Sequence, residues 1–358
     1  KNFDPLEYFE KSDLRKNDLF VQYAVAAAEQ AMRDSGTQGT IEPERFGVYI
    51  GSGIGGILTT TENSNKLCQG AKRVSPFMVP MMISNMASGS VSIRFSAKGP
   101  TLPIVTACAT STHAIGEAYR AIRHGYADAI LAGGSEAAVC DLTLAGFTSC
   151  MALSCNNDPK TACRPFDKNR DGFVMGEGAG VVLLEEYEHA LARGAKIYGE
   201  VCGYGNTSDA YHVTAPDPEA DGITRAIRLA MEEAGVTADE HTYVNAHGTS
   251  TPLNDKSETL AFHQAFGEAA EKVAISSTKS MTGHMLGAAG AVEAIACLKA
   301  LQTGIIPPTI GLQEADPDCD LDYTPGTAKK AELHTAISTS LGFGGHNACL
   351  VFRRAEEG

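Results

Sequence analysis

The stretch "IVTACATSTHAIGEAYRAIRHG", residues 104–125, consists of an apolar β-run, a turn of small residues and a helical segment. Further along the chain, "VAISSTKSMTGHMLGAAGAVEAIACLKALQTG", residues 273–304, follows the same plan. Repeated strand–helix units predict α/β layers, and their near-duplication predicts two halves packed about a pseudo-twofold axis. We therefore expect an α/β fold in which corresponding strand ends and helix starts meet at the centre.

The neighbouring segments carry the same duplication. Each half contains a helix that ends at Gly, a short β-branched run and, later, a Gly turn followed by a terminal strand. These segments are residues 19–36, 46–53 and 176–186 in the first half, and 222–235, 242–250 and 342–352 in the second. We place the halves at residues 1–195 and 196–358. Cys108 lies near the start of its helix in one half, and His284 is expected at the corresponding place in the other.

The composition is that of an ordinary globular protein, with 43% hydrophobic and 20% charged residues among 358. The chain has no run of about 18 apolar residues and no apolar signal segment at its start, so we expect a cytoplasmic protein without membrane association. The ten cysteines include no C-x-x-C pair and are expected to be reduced thiols. The formal net charge of −14 disfavours a general nucleic-acid binder.

Two segments match known binding motifs, but their surroundings in the sequence do not support the usual function. "GSGIGG", residues 51–56, fits a dinucleotide loop, but the "ILTTTENSN" that follows is poor in helix formers and no acidic residue ends a second strand. A tight turn or a close backbone approach is the better interpretation. "DKNRDG", residues 167–172, opens like a calcium loop, but its twelfth position is Gly178, with Glu177 one place early. We expect a charged turn before a buried strand.

Cys108 is the candidate nucleophile. A thiol at a helix N-terminus meets unpaired N–H groups and the positive end of the dipole, which should lower its pKa below the roughly 8.5 of a free thiol. His247 and His284 each follow small or hydroxyl residues and could donate to a developing oxyanion. The alternatives are a buried structural cysteine and structural histidines. A zinc site is disfavoured, because Cys150 and Cys155 form C-x4-C with no His nearby.

Three further residues accompany these candidates. Lys279 lies five residues before His284 and could approach the same pocket, although a surface lysine is the alternative. Glu293 lies on an otherwise apolar, Ala-rich helix face, where a buried carboxylate requires a partner. Phe343 lies between glycines in "GFGGHN", where a large ring could move easily; the alternative is a plain core aromatic.

The motifs together resemble those of one family. "TACATS" around Cys108, "NAHGTSTPLND" around His247, "STKSMTGHMLGAAG" around Lys279 and His284, and "GFGGHN" around Phe343 resemble, in order and spacing, the series of the β-ketoacyl-acyl-carrier-protein synthases with a Cys-His-His site. The group of synthase II of bacterial fatty-acid synthesis is the most similar. "RPFDKNRDGFVMGEGAG" also resembles a stretch of that family, and the resemblance covers essentially the whole chain.

The resemblance implies a thiolase-like fold, with five layers α-β-α-β-α from two duplicated halves, and a homodimer. It also implies decarboxylative condensation of malonyl-acyl carrier protein with an acyl chain, which lengthens a fatty acid by two carbons. The partner would be acyl carrier protein, whose phosphopantetheine carries the substrates. No metal or diffusible cofactor would be required, because the thioesters carry the activation.

The family's roles carry over to matching positions. Cys108 would hold the acyl chain as a thioester, and His247 and His284 would stabilise the enolate formed when malonyl-carrier loses carbon dioxide. The N–H groups of Cys108 and Phe343 would form the oxyanion hole. The remaining implied roles are pantetheine contacts for Thr249 and Thr251, electrostatic support for Lys279, a buried polar network for Glu293, gating of the acyl pocket for Phe343 and lining of it for Phe147.

The chain also departs from the family pattern. Members usually open with a strand of the "VVVTGxG" kind before the region that starts here at "KNFDP", so the first strand of the first half is expected to be missing. Cys155 stands where many relatives have a basic residue near the entrance. An acidic carrier requires local positive charge, for which "KSDLRKN", with Lys11, Arg15 and Lys16, is the best candidate; a solvated charge cluster is the alternative.

Three related functions compete with this one. A thiolase shares the fold but would have a Cys-His-Cys site and use coenzyme A thioesters. The second histidine, His284, argues against this function. A non-catalytic chain-length partner is disfavoured by Cys108 at the nucleophile position. A polyketide ketosynthase shares the Cys-His-His site and remains an open alternative.

Overall fold

The computed structural model describes residues 3–355. Its helices are α1 (Leu19–Ser35), α2 (Ile57–Cys68), α3 (Met78–Met82), α4 (Met86–Phe95), α5 (Thr110–Arg123), α6 (Asp141–Ser149), α7 (Tyr187–Ala192), α8 (Asp221–Ala234), α9 (Pro252–Phe266), α10 (Lys279–Thr282) and α11 (Ala289–Thr303). Its strands are β1 (Phe46–Gly51), β2 (Ala129–Glu136), β3 (Gly178–Glu185), β4 (Glu200–Ser208), β5 (Thr242–Asn245), β6 (Ala274–Ser276), β7 (Ile305–Ile306), β8 (Lys329–Lys330), β9 (Thr335–Gly342) and β10 (His346–Arg353).

The strands form two principal sheets. The first has the order β1-β2-β3, with β1 and β2 parallel and β3 antiparallel to β2. The second has the order β4-β10-β9-β5-β6, in which β5 is parallel to both β9 and β6, and β10 is antiparallel to β9 and β4. A small ribbon pairs β7 with β8. Each half of the chain thus supplies one mixed sheet.

The helices enclose and separate these sheets. α5 and α11 contact each other and both sheets, so they form the central layer. α1 and α4 cover the outer face of the first sheet, and α8, with α9 against it, covers the outer face of the second. The result is the five-layered α-β-α-β-α arrangement, and the expected fold class is confirmed.

Small residues allow the central layer to pack closely. A Cβ at Gly116 of α5 would overlap the ring of Tyr204 on β4, and a Cβ at Gly290 of α11 would overlap Thr112 of α5. Most of α5 and α11 is buried, as expected for helices enclosed between two sheets. The short distance between these layers brings the ends of the two central helices together.

The pseudo-twofold correspondence differs from our expectation at one point. A 3-10 turn, Ala107–Ala109, precedes α5, and another, Leu286–Ala288, precedes α11. The first residue of each turn has a positive φ, 50° for Ala107 and 46° for Leu286. Gly287 therefore corresponds to Cys108. The expectation that His284 occupies that place is wrong, since His284 lies three residues before Gly287, in the loop after α10.

Two predicted elements also differ. Residues 104–106 do not form a strand; next to β1 the sheet is extended by the single bridge between Val48 and Thr101. Pro100 and Pro103 flank this bridge and cannot donate to a ladder. Conversely, the segment after "GSGIGG" forms helix α2 despite its β-branched residues.

Candidate active site

Cys108 lies in the turn between the edge of the first sheet and α5. Its side chain is buried, and the N–H of Phe343 is directed at its sulfur. The end of β9 approaches this turn closely because Gly342 has no side chain: a Cβ there would overlap the carbonyl oxygen of Thr106. The strained φ of Ala107 completes the turn that presents the thiol.

Burial controls the protonation of this thiol. It raises the pKa of Cys108 to about 12, against the lowering effects of the Lys279 charge and the Phe343 N–H; Glu136 adds to the rise. The expectation that the helix start lowers this pKa is therefore wrong for the substrate-free protein. The free-energy cost of removing a thiolate from water exceeds the stabilisation that the Lys279 charge and the Phe343 N–H give it.

His247 follows β5 on a loop that a buried carboxylate holds. The His247 N–H donates to Glu258 Oε1 at 2.7 Å, and the Gly248 N–H donates to Glu258 Oε2 at 2.8 Å. The Thr339 hydroxyl donates to Oε1 at 2.6 Å, which ties the loop to β9. Burial raises the pKa of Glu258 to about 7, and these donors oppose that rise. Sequence reasoning missed Glu258.

Lys279 fixes the tautomer of His247. Its ammonium lies 3.3 Å from His247 Nδ1 and forms an ion pair with Glu293, and all three side chains are buried. An ammonium can only donate, so Nδ1 accepts and the imidazole proton is on Nε2. Burial, then Lys279 and His284, hold the pKa of His247 well below its usual value. The imidazole is therefore neutral at physiological pH.

His284 lies beside His247. The ring centroids are 5.3 Å apart with an interplanar angle of 86°. The backbone N–H of His284 donates to the Val174 carbonyl at 2.7 Å, and the centroid of the Phe173 ring lies 5.1 Å from that of the His284 ring. Burial, then Lys279, lowers the pKa of His284 well below its usual value, so this imidazole is neutral as well.

One cavity of about 360 Å³ brings most of the predicted residues together. The Thr249 and Thr251 hydroxyls are 2.9 Å apart on its wall, and the rings of Phe147 and Phe343 lie 6.4 Å apart. Of the residues that the sequence singled out, the cavity is lined by Cys108, His247, His284, Thr249, Thr251, Phe147 and Phe343. Lys279 and Glu293 lie behind His247 instead.

The glycine loop at residues 51–56 is held by a second buried carboxylate, Glu136. The Gly53 N–H donates to it at 2.8 Å, the Ile54 N–H at 3.1 Å and the Gly287 N–H at 3.0 Å. These donors are occupied inside the protein, which removes the phosphate cradle that a dinucleotide loop needs. Glu136, also missed from sequence, ends the otherwise uncharged strand β2, and a lone carboxylate in that place was the available signal.

The charged turn at residues 167–172 is also held by a buried carboxylate, that of Asp167, although Lys168 and Asn169 are exposed. Asp167 accepts from the N–H groups of Asn169, Gln313 and Glu314, each at 2.8 Å.

Within residues 3–355, no group of three or more His, Cys, Asp or Glu side chains has the arrangement of a metal site. No helix of the described chain is long and apolar enough to cross a bilayer.

The predicted docking residues lie away from the cavity wall. The side chains of Lys11, Arg15 and Lys16 are at least partly exposed, and Lys16 pairs with Asp13 at 2.9 Å. None of the three lines the cavity, and neither does exposed Cys155. Met151, which precedes Cys155 in the chain, is exposed and does line the cavity.

Two family profiles match the chain. "Beta-ketoacyl synthase, N-terminal domain" matches residues 1–190, and "Beta-ketoacyl synthase, C-terminal domain" matches residues 198–313. Among curated relatives, the "3-oxoacyl-[acyl-carrier-protein] synthase 2" of Synechocystis sp. is 50% identical over 357 residues, which covers 99% of this chain and 86% of that protein.

Solved structures show the same similarity. A β-ketoacyl synthase from Burkholderia phymatum has a TM-score of 0.92 and 38% identity, covering 99% of this chain and 87% of that one. A chain from the structure of a type II polyketide synthase acyl-carrier protein in complex with its ketosynthase, bound to the hexaketide, has a TM-score of 0.91 and 37% identity, covering 94% and 85%. These proteins have the thiolase-like fold described above.

Proposed function

The chain belongs to the β-ketoacyl synthase family, and from that premise we propose that it acts as a 3-oxoacyl-[acyl-carrier-protein] synthase of the synthase II type. It condenses malonyl-acyl carrier protein with an acyl chain held on Cys108 and lengthens a fatty acid by two carbons. The observation that carries the proposal is the convergence of Cys108, His247 and His284 on one cavity.

In the first step, the Cys108 sulfur attacks the thioester carbonyl of an acyl carrier protein. The N–H groups of Cys108 and Phe343 donate to the oxyanion of the tetrahedral intermediate. The carbon–sulfur bond to phosphopantetheine breaks, and the thiol proton of Cys108 leaves on the departing pantetheine sulfur. The acyl chain remains as a thioester on Cys108.

In the second step, malonyl-carrier loses carbon dioxide, and the electron pair of the broken C–C bond forms an enolate on the thioester. Both imidazoles are neutral, so each can offer an N–H to the enolate oxygen without carrying a charge of its own. Lys279 assigns the His247 proton to Nε2, and its charge favours the developing anion. Glu293 balances that charge when the site is empty.

In the third step, the enolate carbon attacks the Cys108 thioester. The new C–C bond forms, the sulfur of Cys108 leaves as a thiolate, and a proton from water restores the thiol. The high pKa of this buried thiol favours that return to the neutral form. The product is a β-ketoacyl chain on the carrier, two carbons longer than the chain that entered.

The remaining residues bind and guide the substrate. Thr249 and Thr251 contact pantetheine through hydroxyls on the wall of the cavity. Phe343 gates the acyl pocket, and its position between Gly342 and Gly344 leaves its backbone free to move. Phe147, whose ring faces that of Phe343, lines the pocket.

The partners follow from the chemistry. Acyl carrier protein delivers both substrates, and the thioesters supply the activation, so no metal or diffusible cofactor is needed. The protein acts in the cytoplasm as a homodimer whose chains have halves at residues 1–195 and 196–358. Lys11, Arg15 and Lys16 offer the positive charge that an acidic carrier requires.

The experiment is intact-mass and peptide mapping after incubation with a long-chain acyl-carrier protein, followed by malonyl-carrier protein. An acyl adduct on Cys108 that disappears as a β-ketoacyl product two carbons longer forms is the expected result. A Cys108→Ala variant is the control for other acylation sites. Folded protein that forms no adduct on Cys108 would contradict the proposal.

A polyketide ketosynthase is the second candidate, because the TM-score of 0.91 to a chain of the hexaketide-bound ketosynthase complex is within 0.01 of the 0.92 to the β-ketoacyl synthase from Burkholderia phymatum. The same assay separates the two when no ketoreductase is present. A fatty-acid synthase should stop after one condensation, whereas a polyketide ketosynthase should accept its own β-ketoacyl product and extend it again.

A further inference from the structure

The charged turn at residues 167–172, which opens like a calcium loop, contains a buried cation. The Arg170 side chain is 4% exposed, and its guanidinium forms ion pairs with Asp255, which is fully buried, and with Asp316. One Nη also donates to the Asp167 carbonyl at 2.9 Å, within the turn itself. A buried guanidinium requires partners for its charge and for its N–H groups. The two carboxylates balance the charge and leave other N–H groups for other acceptors.

The guanidinium of Arg170 also reaches the main chain at the start of α9. Its Nη2 donates to the Pro252 carbonyl at 3.1 Å, and its Nε donates to the Thr251 carbonyl at 3.4 Å. The Asp255 N–H donates to the same Thr251 carbonyl at 3.3 Å, in the first turn of α9. A guanidinium is planar and presents its N–H groups in a fixed fork. Its contacts therefore fix the orientation of these carbonyls as well as their distance.

Residues 164–172 also hold Ser250, the residue before this segment, through main-chain groups. The Arg164 N–H donates to the Ser250 hydroxyl, and the Gly172 N–H donates to the Ser250 carbonyl, both at 3.0 Å. Ser250 has a φ of 72°, which a residue with a side chain keeps only where its surroundings determine it. The two threonines that flank Ser250 line the cavity, with hydroxyls 2.9 Å apart. The turn thus holds the middle of this wall by its main chain and the end of it by Arg170.

We propose that Arg170 is a positioning residue for pantetheine binding, which fixes the carbonyls of Thr251 and Pro252 so that the hydroxyls of Thr249 and Thr251 face the substrate. This inference rests on the proposed function, in which those hydroxyls contact pantetheine. Arg170 acts on the cavity wall rather than on Cys108, so its effect belongs to substrate binding and not to the chemistry of the thiol. This gives the charged turn a role that its similarity to a calcium loop does not explain.

The test replaces the guanidinium by an ammonium. Arg170→Lys keeps a positive charge beside Asp255, but one ammonium cannot donate to both carbonyls in the orientation of the fork. We expect the concentration of dodecanoyl-pantetheine, and of a long-chain acyl-carrier protein, that gives half-maximal acylation of Cys108 to rise about fivefold, with at most about a twofold change in the maximal rate. Peptide mass spectrometry of quenched single-turnover reactions measures both. Lys168→Met removes an exposed cation from the same turn and, as the matched control, should behave like the wild type.

Two further measurements separate positioning from a general loss of structure. Iodoacetamide needs neither threonine hydroxyl, so its rate of reaction with Cys108 should be unchanged in Arg170→Lys. In a Thr251→Val background one hydroxyl is already absent, so adding Arg170→Lys should raise the half-saturating concentration by no more than about 1.5-fold. If Arg170→Lys does not fold, Arg170→Gln/Asp255→Asn takes its place, because that pair of changes leaves no unpaired charge at position 255.

The outcomes are distinct for the two proposals. Wild-type protein that neither acyl donor acylates at Cys108 would overturn the proposed function. Wild-type protein that is acylated, together with an unchanged half-saturating concentration in Arg170→Lys, would overturn this inference alone. A variant in which binding, maximal acylation rate and iodoacetamide alkylation all fall together would give Arg170 a merely structural role, and would also overturn it.

Discussion

At the scale of single residues, burial and charge have opposite effects on the pKa of the nucleophile. Cys108 is removed from water, and the buried charge of Lys279 is the principal opposing effect on its pKa. Lys279→Met should therefore raise the thiol pKa further and slow alkylation of Cys108 at every pH between neutral and alkaline. In the wild type, the rate of Cys108 alkylation should rise about tenfold per pH unit without a plateau below the pKa of about 12.

The measurement is the rate of iodoacetamide incorporation at Cys108, followed by peptide mass across pH. Lys299→Met, which removes an exposed lysine of α11, is the control and should match the wild type. A plateau in the wild-type rate below pH about 9 would mean that the thiol is acidic despite its burial.

Glu258 is a residue whose removal should affect rate more than binding. Its two oxygens accept from His247, Gly248 and Thr339, and an amide at this position turns an NH2 toward one of these donors. Glu258→Gln should lower the free energy of unfolding by about 1–3 kcal/mol. It should reduce kcat more than KM, because it displaces His247. Urea unfolding and steady-state kinetics measure both, with exposed Glu232→Gln as the control.

The same carboxyl predicts a pH dependence. Its pKa is about 7 in the folded protein against 4.5 for an ordinary Glu, so the folded state binds more protons between those pH values. The contribution of Glu258 to the free energy of unfolding therefore falls as pH rises through this window. The stability difference between wild type and Glu258→Gln should be larger at pH 5 than at pH 7.5. A difference that grows with pH would show that the three donors, not burial, control this pKa.

The sequence was sufficient to identify the site residues that lie in motifs, but not the residues that hold those motifs in position. Cys108, His247 and His284 lie in recognisable stretches, and the cavity contains all three. Glu136 accepts from N–H groups more than 80 residues away, and its one sequence signal is its place as a lone carboxylate at the end of β2. Glu258 accepts from the N–H groups of His247 and Gly248, in the loop before its own helix, and from the Thr339 hydroxyl, and no motif spacing shows those contacts. The Cys108 pKa was predicted in the wrong direction, because a helix start is a local feature and burial is not.

At the scale of elements, the packing of α5 gives a sharp contrast between two glycines. A Cβ at Gly116 would overlap the ring of Tyr204, whereas the nearest atom to a Cβ at Gly89 of α4 is Met86 Sδ, at 4.0 Å. Gly116→Ala should destabilise the protein by about 1–3 kcal/mol through overpacking. Gly89→Ala should stabilise it by about 0.5–1 kcal/mol, because alanine suits a helix better.

Urea unfolding gives the free energy of unfolding of both variants, and because both carry the same Gly→Ala change, the two values can be compared directly. Equal effects in both would mean that helix propensity, rather than the distance between α5 and β4, decides the outcome. Stabilisation by Gly116→Ala would show that α5 and β4 can accommodate a methyl group at this position, contrary to their close packing in the structure.

Most elements could be read from periodicity and turn residues, and the exceptions have physical reasons. α1 and α8 end where glycines follow them, at Gly36 and Gly235, as predicted. The run at residues 104–106 has the apolar residues of a strand, but the prolines before it lack the N–H groups of a ladder. α2 forms although β-branched residues disfavour helices, because its ends and contacts are set by tertiary packing.

At the scale of the whole molecule, duplication places the chemistry between the halves. Each half supplies a 3-10 turn and a central helix, and Glu136 of the first half accepts from Gly287 of the second. The turns correspond, but their residues differ: one presents the thiol of Cys108, and the other has Gly287, without a side chain. The second half contributes His247 and His284 from other loops, so a symmetric frame holds an asymmetric site.

The edge of the first sheet predicts how two copies of the chain associate. Residues 100–104 run beside β1; Leu102 in this segment is 52% exposed, and Val105, which follows it directly, is 46% exposed. Exposed apolar residues on a sheet edge favour pairing with another chain, which agrees with the proposed homodimer. Val105→Glu should therefore convert dimers to monomers in sedimentation or light scattering. Because this edge lies three residues before Cys108, it should also slow acylation of that residue. Leu229→Glu, on outer helix α8 and 47% exposed, should leave both unchanged. A Val105→Glu variant that stays dimeric and fully active would place the dimer contact on another face.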